Sequence, residues 1–321
     1  MSAAPKYLAL TGGVGGAKLG VGLAHILPPS QLAFLVNTGD DFTHLGLHIS
    51  PDLDTLMYAL SGESNVELGW GRRDESWRFI ETLRALGGES WFNLGDRDLA
   101  VHVLRSERLR AGESLSSITQ QLNAALGTQH PVWPMCEEPV PTIVHTLNGA
   151  LAFQHYFVRD RCAPAVTGFE FRDAAAARPL PQLLDWLADP ALGGIFLCPS
   201  NPYVSIDPIL TIPGVQAAMR ASGVPIIAVS PIVAGLAIKG PTAKMMAELA
   251  VPASALAVAQ HYGDLLTGYV VDEQDQALLG ALRESGHAAI ATPSVMLTLA
   301  DKIHLAGVMC QFAEDLRSAA K

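Results

Sequence analysis

The sequence predicts an α/β fold in which a doubly wound, mostly parallel sheet carries a largely helical inserted subdomain and a β-hairpin. At the N-terminus a short apolar run breaks into a glycine-rich turn and is followed by a helical pattern. Beyond residue 185, apolar runs of strand length again alternate with helical patterns, and each run stops in Ser, Asn, Pro or Gly. The carboxyl ends of such strands share one edge of the sheet, where ligands bind. We expect a single domain over residues 1–321, with its core at about 6–50 and 190–321 and the insertion at about 52–165.

The composition is that of a compact globular protein and argues against several kinds of partner. Of the 321 residues, 49% are hydrophobic and 16% are charged, and the net charge is −10 without any run of Lys or Arg. We therefore expect neither nucleic-acid nor membrane binding, and an anionic substrate would need a bridging metal. No apolar stretch is long enough to span a bilayer, and no signal-peptide pattern is present. The four cysteines are scattered, which favours reduced thiols in a cytoplasmic protein over a zinc site.

The first informative motif is the glycine-rich turn, which reads TGGVGGAK. Free backbone N–H groups at the start of a helix can cradle a phosphate, so the turn predicts a nucleotide or phosphate site. Its spacing lacks the third glycine of the dinucleotide motif and the G-x-x-x-x-G-K-[ST] run of P-loop NTPases. The alternative is a tight turn that allows close helix–strand packing. The predicted nucleotide-binding residues of the turn are Gly12, Gly13, Gly15, Gly16 and Lys18.

Four aspartates lie close together in the next segment, LVNTGDDFTHLGLHISPDLDT. Asp40 and Asp41 follow an apolar run that is typical of a buried strand, and Asp52 and Asp54 open a helical pattern. Carboxylates that face one space repel each other, so a cation between them is expected, and Mg²⁺ is the simplest choice. The alternative is a turn at the first pair and a capped helix start at the second.

The segment LGDRDLAVH is the next motif. Asp96 or Asp98 can cap a helix, on which Asp98, His102 and Arg105 share one face at spacings of four and three residues. Arg97 lies between the two acids and offers two donors to a phosphate or an acidic partner. The alternative is a capped, salt-bridged helix with His102 half buried.

The second half of the chain supplies a hairpin and further strand ends. Asn148-Gly149 lies between two β-rich runs, 142–146 and 151–158, and is a strong hairpin signal. Strands are expected at 195–198, 224–229, 269–271 and 288–291, before a closing helix at 296–316. Ser200 and Asn201 follow the first of these strands and can hydrogen-bond a nucleobase or a phosphate. The alternative is that they only end the strand and form the loop.

Seven motifs together resemble one family over nearly the whole chain. They are TGGVGGAK, VNTGDD, SPDLDT, LGDRDLAVH, FQHYFVR, PSNP and SPI. The sequence is similar to the CofD/FbiA family, the 2-phospho-L-lactate transferases of coenzyme F420 biosynthesis. The resemblance implies a Rossmann-like core, Mg²⁺ as cofactor and a homodimer. It also implies that a phosphorylated carboxylic acid is moved from a guanosine-diphosphate-activated donor to the deazaflavin Fo, and that GMP leaves.

With this resemblance the candidate residues take specific roles. Asp40, with one or both of Asp52 and Asp54, is expected to hold Mg²⁺ against the diphosphate. Asp52 or Asp54 is alternatively the catalytic group that orients or deprotonates the ribityl hydroxyl of Fo. The predicted contacts with Fo or phosphate are Asp52, Asp96, Arg97, Asp98 and His102. The guanine nucleotide is expected at the glycine turn and at Ser200, Asn201 and Ser230.

Two other functions remain as alternatives. Proteins of the YvcK type share the glycine turn and the sheet, but they bind nucleotide sugars and act as regulators without catalysis; SPDLDT and LGDRDLAVH favour the transferase. A nucleotide-dependent oxidoreductase lacks support because the third glycine of its motif is missing. The activated acid is left open among phospholactate, phosphoenolpyruvate and 3-phosphoglycerate.

Overall fold

The computed structural model describes residues 4–238 and 240–319 and confirms the α/β class. Within these ranges the strands, in chain order, are β1 Lys6–Thr11, β2 Leu32–Val36, β3 Phe42–His44, β4 Leu47–Ile49, β5 Val132–Pro134, β6 Thr142–Thr146, β7 Gly149–Ala152, β8 Val166–Phe171, β9 Leu192–Leu197, β10 Ile226–Val229, β11 Ile232–Val233, β12 Leu236–Ala237, β13 Gly268–Val271 and β14 Ala288–Ala291. The α-helices are α1 Gly13–Ile26, α2 Pro51–Ser61, α3 Arg78–Ala85, α4 Asp96–Arg110, α5 Leu115–Ala125, α6 Pro181–Leu187, α7 Asp207–Thr211, α8 Val215–Ala221, α9 Thr242–Glu248, α10 Ala255–Tyr262, α11 Leu279–Glu284 and α12 Leu299–Ala319.

A seven-stranded parallel sheet forms the centre of the molecule, with the strand order β14-β13-β10-β9-β1-β2-β5. The chain starts in the middle at β1, moves outward to β2 and β5, and then returns to β9 to build the other half. Leu10 near the end of β1 is paired with Leu197 at the end of β9. The crevice beside these two strand ends is therefore a topological switch point, where doubly wound sheets bind their ligands.

Side chains of the central strands alternate between two cores, one on each face of the sheet. Leu8 and Leu10 of β1 pack in the core that includes residues of α6, α8 and α10. Tyr7 and Ala9 of the same strand pack on the opposite face with residues of α1, α2 and α12. All five residues of β2 are buried, as expected for a parallel strand that is covered on both faces.

A short hairpin, β3–β4, brings the two pairs of aspartates together. Its turn has Leu45 at φ 52° and Gly46 at φ 76°, the left-handed conformations of a type I′ turn. The returning strand places Ser50 next to Asp41, and the serine hydroxyl donates to the carboxylate at 2.7 Å. His48 Nε2 lies 3.0 Å from the same carboxylate oxygen. The hairpin was not predicted from the sequence, and it explains why aspartates twelve residues apart converge.

Two boundaries differ from the sequence-based prediction. β5 pairs with β2 at the edge of the central sheet, although it lies inside the segment expected to be inserted. The predicted hairpin forms as β6 and β7, but its second arm ends at Ala152, and β8 is the other neighbour of β6. The strand stops there because the following residues, Gln154 and Tyr156, are buried, whereas β7 is mostly exposed. A turn of π-helix, His155–Arg159, replaces the expected strand.

The contact between α1 and α12 gives a prediction for stability. A Cβ added at Gly22 of α1 would collide with the backbone carbonyl of Lys302, so Gly22→Ala should destabilise the fold by about 1–3 kcal/mol through overpacking. Gly307 of α12 is the matched control, because no atom lies within 4 Å of its added Cβ. Gly307→Ala should stabilise the protein by up to about 1 kcal/mol through helix propensity. Urea unfolding measures both, and equal effects of the two substitutions would contradict the packing described.

Candidate functional site

A cavity of about 660 Å³ opens at the carboxyl edge of the sheet, at the switch point between β1 and β9. The glycine turn, the loops after β2, β9, β10 and β14, and the first turns of α2 and α4 form its wall. This volume is in the usual range for small-molecule and cofactor sites. The sequence-predicted residues that line it are Gly12, Gly13, Gly15, Lys18, Asp40, Asp52, Asp54, Asp98, His102, Ser200, Asn201 and Ser230.

Asp40 and Asp52 form a buried acid pair around one amide. The Nδ2 atom of Asn37 donates to Asp52 Oδ2 at 2.9 Å and lies 3.4 Å from Asp40 Oδ1. Gln154 Nε2 donates to the other oxygen of Asp40 at 3.2 Å. Asp40 is 5% exposed and Asp52 is 8% exposed. The two carboxylates thus share the Asn37 amide and face the same part of the cavity.

Burial makes both carboxylates of this pair harder to ionise, and repulsion by neighbouring carboxylates adds to the effect. Burial raises the pKa of Asp40 well above its usual value, and the charges of Asp52 and Asp41 raise it further. Burial also raises the pKa of Asp52 to about 6, although hydrogen bonds from Asn37 and Gly13 counteract it. Among the described residues neither carboxylate of the pair is in a salt bridge, whereas Asp41 and Asp54 each are. Such a pair is stabilised by a hard divalent cation, whose preferred ligands are carboxylate oxygens.

Asp54 differs because its charge is balanced inside the protein. Arg105 of α4 is fully buried and makes a bidentate ion pair with Asp54, with Nη1 at 3.0 Å from Oδ2 and Nη2 bonded to Oδ1. Planar two-point pairing of this kind is the strongest that a guanidinium and a carboxylate can form. The sequence had placed Arg105 on the right helix face but had given it no partner.

His102 lies between two carboxylates. Its Nε2 atom is 3.2 Å from Asp98 Oδ2, and its Nδ1 atom is 3.6 Å from Asp54 Oδ2. Tyr58 donates its hydroxyl to the other oxygen of Asp98 at 2.6 Å. Burial tends to raise the pKa of Asp98, but the contacts with His102 and Tyr58 outweigh it and lower the pKa. Both ring nitrogens of His102 therefore lie next to carboxylates of the protein, and the side chain is almost fully buried.

Asp54, Asp98 and His102 also satisfy the distance requirement for a metal site. Their ligand atoms lie within 4.8 Å of one another. However, the guanidinium of Arg105 contacts Asp54 directly and lies 3.4 Å from His102 Nδ1. A positive group is therefore already in direct contact with this cluster, whereas neither Asp40 nor Asp52 is in a salt bridge among the residues that the structure describes. Of the two clusters, the acid pair is the stronger candidate for a cation site.

The glycine turn is closed by contacts with neighbouring loops. The backbone N–H of Gly13 donates to Asp52 Oδ1 at 2.6 Å, and that of Gly12 points to Ser200 Oγ at 3.2 Å. Gly16 does not line the cavity; a Cβ there would collide with Thr11 and Ser200. At Gly16 the structure therefore favours the alternative of close helix–strand packing, and the nucleotide contact stays a prediction.

The three polar residues at the ends of β9 and β10 reach the cavity while also holding their own loops. Asn201 accepts the N–H of Tyr203 at 3.0 Å and so caps the turn that follows. Ser230 donates to the carbonyl of Ile232 at 2.7 Å. Ser200 donates to the carbonyl of Gly12 at 2.8 Å and ties β9 to the glycine turn.

Asp96 and Arg97 do not line the cavity, so the structure does not support their predicted contacts with Fo or phosphate. Asp96 is half-buried at the start of α4 and accepts the N–H of Phe79 at 3.1 Å. Arg97 lies 3.3 Å from Glu63 and 3.9 Å from Asp74, in surface ion pairs. Asp96 and Arg97 come immediately before Asp98 in α4. Because a helix turns by about 100° per residue, their side chains project from other faces of the helix than Asp98 does.

The sequence gave no site role to several residues that line the cavity. Among them are Asn37 and Gln154, which hold the acid pair, and an aromatic group formed by Trp91, Phe92, Phe153 and Phe157. The rings of Phe153 and Phe157 are stacked, with centroids 5.4 Å apart and planes 10° apart. Asn37 and Gln154 lie within the motifs VNTGDD and FQHYFVR, so the motifs marked the positions but not their roles.

Comparison with known proteins points to one family. The model of the family described as 2-phospho-L-lactate transferase CofD matches residues 8–300. A phosphoenolpyruvate transferase of Kitasatospora aureofaciens is 38% identical over 97% of this chain and 99% of its own length. A 2-phospho-L-lactate transferase of Methanosarcina mazei is 35% identical over 94% of this chain and 98% of its own.

Among solved structures, a protein of the UPF0052 family from Bacillus halodurans superposes with a TM-score of 0.64. The two sequences are 14% identical, and the superposition covers 96% of this chain and 99% of the other. That likeness shows the fold alone and supports the Rossmann-like core. The family match and the close relatives go further: the chain belongs to the CofD family, the transferases of coenzyme F420 biosynthesis.

Proposed function

We propose that this chain transfers the phosphorylated carboxylic-acid moiety of a guanosine-diphosphate-activated donor to the ribityl hydroxyl of Fo, with release of GMP. The observation that carries the proposal is the joint presence of three features in one cavity: the glycine turn, the buried acid pair and the aromatic group. Each suits a different part of the two substrates. Family membership supplies the class of reaction, and the geometry supports the assignment of residues.

In this proposal Asp40 and Asp52 hold Mg²⁺. The pair fits a cation because both carboxylates are buried, share the Asn37 amide and have no salt bridge among the described residues. When bound, Mg²⁺ offsets the charge of the donor diphosphate. Asp54, which was also expected as a ligand, is assigned a different role because Arg105 occupies both of its oxygens.

The nucleotide half of the donor is assigned to the side of the cavity formed by β1 and β9. Gly12, Gly13 and Gly15 line this side together with Ser200 and Asn201. Backbone N–H groups at the start of α1 attract anionic oxygens, and the loop after β9 offers hydroxyl and amide groups to a base or a phosphate. Lys18 also lines the cavity; its amine donates to the carbonyl of Met296 at 2.8 Å.

The acceptor is assigned to the aromatic side. Trp91 and Phe92 have centroids 5.8 Å apart, and the stacked pair of Phe153 and Phe157 lies in the same wall. Offset stacking on such rings suits a flat heteroaromatic system such as the deazaflavin. Gln154 belongs to the same segment as this pair and contacts Asp40, so the aromatic side adjoins the acid pair.

Transfer of this kind asks the protein mainly for alignment and charge stabilisation. The ribityl hydroxyl attacks the phosphorus that carries the acid and gives up its proton to a carboxylate of the cavity, while the bond from that phosphorus to the bridging oxygen breaks and this oxygen leaves with GMP. Of the two predicted catalytic aspartates, Asp54 has both oxygens held by Arg105, whereas Asp52 lines the cavity and is in no salt bridge among the described residues. We therefore assign contact with the reacting groups to Asp52 and a positioning role to Asp54.

The remaining expectations concern the assembly and the compartment. No helix of the described residues is both long and apolar enough to cross a membrane. Cytoplasmic location and a homodimer stay predictions, and light scattering coupled to gel filtration tests the dimer.

The direct test of function is an assay with Fo, Mg²⁺ and each of three donors, the guanosine-diphosphate derivatives of phospholactate, phosphoenolpyruvate and 3-phosphoglycerate. We expect GMP and a deazaflavin product whose mass identifies the acid transferred. Lack of product with all three donors would contradict the proposal. A thermal shift with UDP-sugars alone, and none with GDP, would instead favour the regulatory alternative.

Removing one member of the acid pair should weaken cation binding. We expect Asp40→Asn to lower the Mg²⁺ affinity at least tenfold and the turnover at least a hundredfold, because one charged ligand is lost. Calorimetric titration with Mg²⁺ and the mass assay measure these effects. Asp96→Asn is the control, because Asp96 lies outside the cavity, and it should keep both values within about threefold of the wild type. Equal losses in the two variants would argue against a cation at the pair.

For the ion pair of Asp54 and Arg105 we expect substitutions to affect stability more than cation binding. Asp54→Leu and Arg105→Met should each lower the free energy of unfolding by about 3–5 kcal/mol, since each leaves a buried charge without its partner. The double variant should regain much of the loss, because both charges are gone. If Asp54 is no metal ligand, the double variant should also keep its Mg²⁺ affinity within about threefold. Additive losses of stability, or a tenfold loss of Mg²⁺ affinity, would overturn this assignment.

A further inference from the structure

The carboxylate of Asp52 occupies the position of an anion at the glycine turn. Its Oδ1 atom accepts the N–H of Gly13 at 2.6 Å, and Gly13 is the first residue of α1. This N–H belongs to the groups that bind phosphate oxygens at such turns. The other oxygen of Asp52 is held by Asn37 at 2.9 Å. A side chain from α2 therefore caps α1, and it does so with the same kind of charge that a phosphate would bring.

Side-chain atoms of Asp52 and Ser205 also fill the space next to the glycine turn. A Cβ added at Gly12 would lie 2.6 Å from Asp52 Oδ2 and 2.7 Å from Ser205 Cβ, so the carboxylate packs directly against the backbone of the turn. The N–H of Gly12 is turned toward Ser200 Oγ at 3.2 Å. No space for a phosphate group exists between Asp52 and the turn in this arrangement, and an arriving phosphate competes with Asp52 for the Gly13 N–H.

We propose that the site binds the nucleoside diphosphate only as its complex with a divalent cation, and that Asp52 is the residue that excludes the metal-free form. The inference rests on the proposed function, which places a guanosine diphosphate and Mg²⁺ in this cavity. Asp52 has two alternative partners, the Gly13 N–H or a cation that it shares with the ligand. In the second case the Gly13 N–H becomes available to a phosphate oxygen.

Repulsion between a carboxylate and the diphosphate would by itself exclude metal-free ligand more weakly, and it would not distinguish Asp52 from Asp40. Asp40 carries the same charge in the same cavity, but its side chain is bonded to Gln154 and Asn37 and touches no amide of the glycine turn. Removal of either carboxylate relieves repulsion of a diphosphate, whereas only removal of Asp52 frees the Gly13 N–H. The two aspartates thus form a matched comparison within one site.

The test is calorimetric titration of the full-length protein with GDP, with Mg²⁺ or with EDTA, in the wild type and three variants. For the wild type we expect GDP to bind at least tenfold more weakly in EDTA. Asp52→Ala should raise the affinity for metal-free GDP at least tenfold. Asp52→Asn should give a smaller gain, because its amide oxygen can still accept the Gly13 N–H. Asp40→Ala should give a gain of threefold or less.

Two results would overturn the inference while leaving the proposed function intact. One is equal affinity of the wild type for GDP with and without Mg²⁺, and the other is an equal gain in Asp40→Ala and Asp52→Ala. If no protein binds GDP under either condition, the proposed function itself fails. Thermal melts of each variant show whether the loss of the α1 cap unfolds the protein. If Asp52→Ala does not fold, the wild-type comparison and Asp52→Asn carry the test.

Discussion

Two carboxylates, Asp40 and Asp52, are held against one buried amide, and the arrangement of the site depends on this contact. At 4 Å and an effective dielectric constant near 20, two such charges repel by about 4 kcal/mol. The fold keeps them together through Asn37 at the end of β2, the β3–β4 hairpin and the start of α2. The cost of burying the two acids appears in their pKa values: burial raises both, and the charge of Asp52 raises that of Asp40 further. A cation relieves that cost, which connects the packing of the acids with the chemistry of a diphosphate.

The acidic cluster is divided into two parts with different functions. On the side of α4, Arg105 neutralises Asp54, and His102 and Tyr58 hold Asp98, so this part is internally balanced. On the side of β1, Asp52 reaches the glycine turn instead. The balanced part forms one wall of the cavity, and in our proposal the unbalanced part faces the ligand.

The sequence was sufficient for the features that depend on local patterns. The parallel sheet, the turn after β1, the start of α2 and the shared face of Asp98, His102 and Arg105 all follow from the spacing of apolar, glycine and polar residues. Partners far apart in the chain could not be read in this way. Arg105 and Asp54 are 51 residues apart, and no local pattern distinguishes Asp54 from Asp52. Arg97 was chosen for its chemistry, but the direction of its side chain depends on where α4 packs.

The central claim is that Asp40 and Asp52 form the cation site of a nucleotide-binding cavity. Anomalous diffraction from crystals grown with GDP and Mn²⁺ tests it most directly, because Mn²⁺ replaces Mg²⁺ at oxygen ligands and its anomalous signal fixes its position. We predict a strong anomalous peak within about 2.5 Å of an oxygen of Asp40 and of Asp52, in contact with the diphosphate. A peak among Asp54, Asp98 and His102, or a bound diphosphate without any peak at the acid pair, would contradict the account.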